Sequence, residues 1–231
     1  MAVAFQSVGA LAANAATTTL NIVAPSLAAD DIMIAAINNK DNQVVTAPSG
    51  WASVSASNNG ANQRASIFWK RAVGGNSGAT FAFTKPTDNN VLFCGVISAW
   101  RGCITTATPI DATTPSVSAN ASSDTVTYAT FDPTETAAFV VAIGFYNQDL
   151  TTAGSISGTD PSFTNRWDLE TGTGSDASIF GYGGSSTGAA TGARSHSTTS
   201  TADDVNIGVM FGLVAAPAPA ASIFNQAIII A

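Results

Sequence analysis

Charged residues are scarce in this chain. Only 10% of its 231 residues are Asp, Glu, Lys or Arg, whereas about a quarter is usual in soluble domains. Lys and Arg number 8 against 15 Asp and Glu, and binding to DNA or RNA requires clustered cations opposite the phosphates. We therefore expect no nucleic-acid partner. Apolar residues reach 45%, which argues against disorder and predicts a neutral Ser, Thr, Asn, Gly and Ala surface suited to static packing against other proteins.

Residues that ligate metals or act as nucleophiles are few as well. The chain has one histidine, His196, and two cysteines, Cys94 and Cys103. We expect the cysteines to be reduced thiols of a protein made in the cytoplasm. Zinc sites and Ser-His-Asp arrangements need histidines in particular surroundings that this sequence does not provide. The prediction is a protein that is not an enzyme, with no catalytic residues, no metal and no cofactor.

Two sets of carboxylates leave other interpretations open. Asp168 and Glu170 share one face of a predicted strand and resemble a glycosidase pair, although a solvated strand face is favoured. Asp88 in copy one, and Asp203 with Asp204 in copy two, come just before the last strand of each repeat described below. Such loops either bind calcium or make turns, and turn formation is favoured.

Long hydrophobic runs are absent. No stretch of about 18 uncharged apolar residues occurs, so we expect no membrane partner. The segment Met1–Phe5 has no basic side chain and no long apolar core, so we expect no secretory signal either.

What the chain does contain is a period-two alternation of apolar side chains. Segments 139–145 and 205–213 alternate apolar with small or polar residues, and 91–97 is apolar on both faces. The first two predict half-buried strands and the third a central strand. Turn residues such as Pro48-Ser49-Gly50 recur at short intervals, and no helical period is present. This pattern predicts an all-β fold, a β-sandwich or jelly-roll-like structure.

The chain also repeats itself. Ala65-Ser66-Ile67-Phe68 recurs letter for letter as Ala177-Ser178-Ile179-Phe180. Two copies are too few for a solenoid, so we predict an internal duplication whose copies contribute strands to one core. The predicted boundaries are the duplicated sandwich at 1–214, copy one at 17–102, a polar connector at 103–124, copy two at 125–214 and a C-terminal arm at 215–231. Residues 1–12 are expected to add a strand.

The copies differ at one strand. Thr80–Phe83 aligns with Arg194–Ser197, so that two Phe positions become Ser in the second copy. The alignment predicts an edge strand with polar side chains around His196. The alternative is a small recognition face.

Two features are candidates for binding. Residues 215–231 begin with an Ala-Pro-Ala-Pro segment, which forms an extended and stiff linker. The predicted assembly arm after it carries the apolar residues Ile223, Phe224, Ile228, Ile229 and Ile230. We expect the arm to add a strand to a neighbouring subunit or to fill a groove there, the alternative being that it folds back. Trp167, between Arg166 and Asp168, is the leading candidate for a glycan contact.

Several segments of copy one resemble a known module. They are Asp31-Ile32-Met33-Ile34-Ala35, Pro48-Ser49-Gly50-Trp51, Ile67-Phe68-Trp69-Lys70-Arg71-Ala72, Thr80-Phe81-Ala82-Phe83 and Ala99-Trp100-Arg101-Gly102. In this order they resemble a β-sandwich module of structural proteins in tailed bacteriophages. The resemblance covers 17–102 and reaches copy two only through the repeat, because copy two lacks the Pro-x-Gly-Trp and aromatic-x-Gly elements.

The resemblance implies a virion component, such as a capsid decoration or tail-fibre protein, with no catalytic residues to carry over. We accordingly expect a non-enzymatic virion protein that is assembled in the host cytoplasm. A capsid decoration or cement protein is favoured, with other virion proteins and further copies of itself as partners. The alternative is a carbohydrate- or receptor-binding β-sandwich of a phage tail or bacterial surface protein.

Overall fold

The computed structural model describes residues 2–135, 138–148, 155–156, 160–171, 177–197 and 204–218, and within them the chain is all-β with no helix. Eight strands lie in the first half: β1 (Ala4–Val8), β2 (Ala12–Asn14), β3 (Thr19–Val23), β4 (Ile32–Asn39), β5 (Ala52–Asn59), β6 (Gln63–Arg71), β7 (Thr80–Thr84) and β8 (Phe93–Arg101). Seven follow: β9 (Ser116–Ser123), β10 (Thr125–Tyr128), β11 (Phe139–Tyr146), β12 (Thr164–Glu170), β13 (Ser178–Ser185), β14 (Arg194–Ser197) and β15 (Asp204–Leu213).

Two antiparallel sheets form the body of the molecule. The first sheet has the order β1-β8-β4-β6-β5, with β2 also paired to β8, and the second has the order β9-β15-β11-β13-β12. Each sheet is therefore built around one central strand, β4 or β11, between two long neighbours. The two orders correspond: β8, β4, β6 and β5 of copy one occupy the positions that β15, β11, β13 and β12 of copy two occupy in the second sheet. The origin of this correspondence in a duplication stays a prediction.

The two sheets pack face to face around one apolar core. Ile34, Val96 and Trp100 of the first sheet belong to the same buried cluster as Val141 and Phe211 of the second. A face-to-face pair of antiparallel sheets with a shared core is a β-sandwich, as the strand pattern predicted.

Each main sheet is also covered on its outer face. The two-stranded sheet β3–β7 packs over the first sheet, and β10–β14 packs over the second. All eight residues of β4 and all eight of β11 are consequently buried. The prediction that 139–145 and 205–213 are half-buried was wrong for this reason, because a second layer hides the face that alternation assigned to solvent.

The segment between the copies is not only a connector. Residues Ser116–Ser123 form β9, which pairs with β15 at the edge of the second sheet. The predicted polar connector at 103–124 therefore includes a strand of the sandwich. Its Ser, Ala and Asn side chains are small or polar and have a low strand propensity. The segment forms a strand because it pairs with β15.

Candidate functional site

Trp167 lies in the core and not on the surface. Its side chain is 4% exposed, and its ring centroid lies 5.8 Å from that of Phe5 and 6.1 Å from that of Trp100. β1 and β12 end the two sheets on the same side of the sandwich, and this aromatic group fills the space between them. The indole has no exposed face for a sugar ring, so the expectation that Trp167 contacts a glycan was wrong. Of its charged sequence neighbours, Asp168 is exposed and Arg166 is half-buried.

His196 is also buried, and the alignment of the copies explains why. β3 pairs with β7 so that Leu20 lies opposite Phe83, and β10 pairs with β14 so that Val126 lies opposite His196. His196 therefore occupies the position of Phe83, whereas the sequence alignment placed it at Ala82, one residue earlier. β14 is an edge strand of its two-stranded sheet, as predicted, but the placement of His196 on its polar face was wrong, because a one-residue shift exchanges the two faces of a strand.

The surroundings of His196 are aromatic. Its ring lies 4.4 Å from Phe180, 5.5 Å from Tyr182 and 5.9 Å from Tyr128, measured between centroids. Nδ1 is 3.3 Å from the Tyr128 hydroxyl oxygen, while Nε2 has no hydrogen-bond partner in the described part of the chain. Burial lowers the pKa of His196 to about 4. The ring is thus a neutral core group, and no serine or carboxylate contacts it in a catalytic arrangement among the described residues.

The candidate carboxylates that the structure describes lie on β12, in the turn before β8 and at the start of β15. Asp168 and Glu170 are exposed on the edge strand β12. Asp88 accepts a hydrogen bond from the backbone N–H of Asn90 at 2.9 Å, which is the local turn contact expected of Asp. Asp204 accepts from the backbone N–H of Val205 at 2.6 Å, and Asp203 lies outside the described residues. The described residues bring no three His, Cys, Asp or Glu side chains together as metal ligands.

The start of the C-terminal arm is attached to the body. Val214 N–H donates to Pro109 O at 2.8 Å and Ala216 N–H donates to Gly102 O at 2.7 Å. The predicted arm residues Ile223, Phe224, Ile228, Ile229 and Ile230 lie outside the described residues. Residues 213–216, at the base of the arm, thus pair with residues of the segment 102–110.

Neither Cys94 nor Cys103 forms a disulfide and both are buried, in agreement with the prediction of reduced thiols. The backbone of Cys103 forms an isolated antiparallel β-bridge with Ala215 at the start of the arm. Burial raises the pKa of the Cys103 thiol to about 12, against the opposing effect of the Arg71 charge. The thiolate, which is the reactive form, is therefore disfavoured at this site.

Two of the segments that carry the resemblance contact each other directly. The Arg101 guanidinium donates to both carboxylate oxygens of Asp31, with Nε–Oδ1 at 2.7 Å and Nη2–Oδ2 at 2.9 Å. Asp31 is 1% exposed, and Oδ2 also accepts from the Ala28 backbone N–H. The Pro48–Gly50 turn has a positive φ of 83° at Gly50 and places Trp51 against Phe81 and Phe83. These contacts are structural.

Buried side-chain amides join the two sheets at the other end of the sandwich. Gln63 Nε2 donates to Asn38 Oδ1 at 3.1 Å and to the Phe145 carbonyl at 3.3 Å. Asn38 Nδ2 donates to Asn147 Oδ1 at 3.1 Å. Since each bond is formed where water is excluded, breaking one leaves a buried polar group unpaired. The network therefore fixes how one sheet sits on the other.

A charged cluster is buried under the β3–β7 layer. Lys85 has no exposed side-chain surface, and its Nζ lies 3.5 Å from Asp41 Oδ2. Asn39 Oδ1 is 3.4 Å from the same Nζ. Sequence reasoning missed this cluster, because Asn39 and Lys85 are 46 residues apart and neither belongs to a recognisable motif. The abrupt change from the apolar 32–37 to polar residues is the only signal, and it indicates a strand end equally well.

The edges on one side of the sandwich carry no charge. β5 and β9 end their respective sheets, and their sequences contain only Ala, Ser, Val and Asn. They lie side by side, since Asn59 Nδ2 of β5 donates to the Asn120 carbonyl of β9 at 2.6 Å. On the opposite side, β12 carries Arg166, Asp168 and Glu170. Charged side chains usually protect an edge strand from pairing with another chain, and β5 and β9 lack them.

In the described part of the chain no helix is long and apolar enough to cross a membrane. Comparisons of this chain with protein-family models, with curated proteins and with solved structures found no match.

Proposed function

We propose that this chain is a non-enzymatic structural protein of a tailed-bacteriophage virion, a capsid decoration or cement protein that adheres to the shell and stabilises it. Its partners are other virion proteins and further copies of itself. The observation that carries the proposal is the uncharged pair of edge strands, β5 and β9, on one side of the sandwich.

An uncharged edge suits a permanent contact between proteins. The strands present Ser, Ala and Asn side chains that are exposed or half-buried. Such small neutral groups lose little side-chain entropy when a partner covers them, and Ser and Asn supply hydrogen bonds at the contact. A freely diffusing protein gains from charges that keep it monomeric and soluble. This chain has few charges overall, which supports a role in an assembly.

The packing of the sandwich also supports a role in stabilising a protein shell. Four layers are stacked, with three apolar clusters between them. The amides of Gln63, Asn38 and Asn147 hold the two main sheets together by hydrogen bonds in the dry interior. A protein built in this way deforms little, because closely packed cores resist small displacements.

The residue that best supported the alternative role in carbohydrate binding, Trp167, is not available at the surface. The surrounding core accounts for the Trp167 side chain, which is 4% exposed. We therefore propose the structural role alone.

The test is to purify particles of the phage whose genome encodes this chain and to quantify their proteins by mass spectrometry. The expected result is a fixed copy number relative to the major capsid protein, and density for a β-sandwich on the shell in a reconstruction. Washing with high salt should not release the chain, because its contact has few charges to screen. Absence of the chain from intact particles would overturn the proposal, and density confined to the tail would overturn the capsid assignment.

A further inference from the structure

Three side chains meet where the β3–β7 layer packs on the end of β4. Asn39 is the last residue of β4 and is fully buried, and Lys85 directly follows β7. Nζ of Lys85 is 3.4 Å from Asn39 Oδ1 and 3.5 Å from Asp41 Oδ2. Asn39 Nδ2 donates in turn to Asp41 Oδ1 in a short hydrogen bond. An amine, a carboxamide and a carboxylate are thus in mutual contact.

The cluster is held in place by several contacts and is largely buried. The Phe93 ring centroid lies 5.4 Å from Lys85 Nζ, and Phe93 belongs to the apolar cluster that fills this layer. The backbone N–H and the Nε2 of Gln43 donate to the Asp41 carboxylate at 2.9 Å and 3.0 Å. Asn89 Nδ2 donates to the same carboxylate at 3.3 Å. A rigid site of this kind brings reacting groups together without further loss of entropy.

The burial of this lysine calls for an explanation other than stability. Removing an ion pair from water costs several kcal/mol per ion, so a buried pair is seldom more stable than an apolar replacement. The second half of the sandwich omits the pair. No lysine occurs after Lys85, although the β10–β14 layer covers the second sheet in the same way, so a covering layer does not need such a pair.

We propose that Lys85 and Asn39 form an intramolecular isopeptide bond, with Asp41 as the proton carrier. The Asp41 carboxylate takes a proton from the Lys85 ammonium, which frees the lone pair on Nζ. Nζ then attacks Cγ of Asn39 and a new C–N bond forms. Asp41 returns its proton to Nδ2, the Cγ–Nδ2 bond breaks, and ammonia leaves with the second proton of Nζ as ammonium. Asp41 is again a carboxylate, and no oxidant or cofactor is needed.

Asn39 is the acceptor because of the leaving group. Attack on a carboxamide releases ammonia, which Asp41 can protonate from its contact with Nδ2. A carboxylate repels the attacking electron pair and has no such leaving group. The bond would tie the end of the central strand β4 to the segment after β7, and would fasten the covering layer to the first sheet. This inference is independent of the virion role, since it rests on the cluster alone.

The test is mass spectrometry of the full chain and of its tryptic peptides. The mass of the chain is expected to be about 17 Da below that of its sequence, the mass of one ammonia. Trypsin cuts after Lys40, Arg71 and Arg101 but not between Lys85 and Pro86. The peptide that ends at Lys40 should therefore be joined to the peptide 72–101. An unchanged mass and separate peptides would overturn the proposal.

Variants distinguish the role of Asn39 as acceptor from the role of Asp41 as proton carrier. Lys85→Arg and Asn39→Ala should each abolish the joined peptide, and Asp41→Asn should leave both reacting groups but slow the joining at least tenfold. Lys70→Arg, which changes a lysine outside the cluster, should leave the joined peptide unchanged. Circular dichroism of each variant shows whether it folds, and the wild-type peptide measurement stands without them. A loss of about 18 Da, with the peptide that begins at Asp41 joined instead, would overturn the assignment of Asn39 because water leaves from a carboxylate.

Discussion

The Nδ1 atom of His196 lies 3.3 Å from the hydroxyl oxygen of Tyr128 inside the outer core of the second sheet. Burial raises the pKa of Tyr128 well above its ordinary value, so its hydroxyl remains neutral and can donate to an unprotonated His196. His196 and Tyr128 occupy the places that Phe83 and Ile22 hold in the first half, where β3 and β7 cover the other sheet. A titratable ring therefore replaces a benzene ring at one core position.

Stability should fall in mild acid because of His196. Its pKa is about 4 when folded and about 6.5 when unfolded, so between these values the unfolded chain binds a proton that the folded chain does not. The contribution of His196 is fully present above pH 6.5 and lost as the pH falls to 4, and it amounts to about 3 kcal/mol. Urea unfolding at pH 4.5, 5.5 and 7 measures this loss.

The control for the acid effect is His196→Phe, which carries the Phe83 ring type into the second half. The difference between the wild type and this variant removes the common effect of the carboxylates. The variant should lack the His196 part of the pH dependence, since His196 is the one histidine of the chain. Parallel pH profiles for the two proteins would contradict the buried, neutral state of the ring.

Trp167→Ala should destabilise the sandwich by about 3–5 kcal/mol, because it opens a cavity between β1 and β12 next to Phe5 and Trp100. Val44→Ala serves as the control, since Val44 is 56% exposed and should change the unfolding free energy by less than about 0.5 kcal/mol. Thermal and urea unfolding measure both. A Trp167→Ala protein as stable as the control would contradict the core position.

A chain that ends at residue 115 should not fold. The first sheet would lose its partner and expose Ile34, Val96 and Trp100, which the second sheet covers in the whole molecule. An apolar face of this size produces aggregation or a molten state. The expected result is an insoluble product, or one that binds a hydrophobic dye and melts without cooperativity. A soluble half with a sharp transition would show that the copies are separate domains.

Removal of residues 217–231 should leave a folded body that no longer joins the particle or its own oligomer. The backbone hydrogen bonds from Val214 to Pro109 and from Ala216 to Gly102 precede the cut and are kept. Sedimentation with particles and size-exclusion chromatography measure the loss. If the shortened chain assembles normally and only melts at a lower temperature, the arm folds back onto its own sandwich.

New charges on the uncharged edges should weaken attachment. Ala56→Lys on β5 and Ala121→Lys on β9 place ammonium groups at exposed positions, where the unfolding free energy should change by about 0.5 kcal/mol or less. Co-purification with particles should fall at least tenfold. Thr164→Lys, at an exposed position of the charged edge strand β12, is the matched control and should bind as the wild type does. Equal loss in all three variants would place the contact elsewhere.

The amino-acid sequence by itself determined the class of this fold. Alternating apolar residues and frequent turn residues specify strands wherever they occur, because each residue of a strand points to the opposite face from its neighbours. The buried strand β8, the reduced cysteines and the strand in the first twelve residues could all be predicted from that local information. Strand β9 could not, because its Ser and Ala residues form a strand only through pairing with β15.

The tertiary structure alone decided what covers each face. Alternation separates two faces of a strand but does not say whether a second sheet, an outer layer or solvent meets them, and so Trp167 and His196 could be assigned to the surface although both are buried. Lys85, Asn39 and Asp41 meet only because the β3–β7 layer packs on the end of β4. Contacts between residues that are distant in the chain depend on how layers stack, and a period of two along one strand carries no record of that stacking.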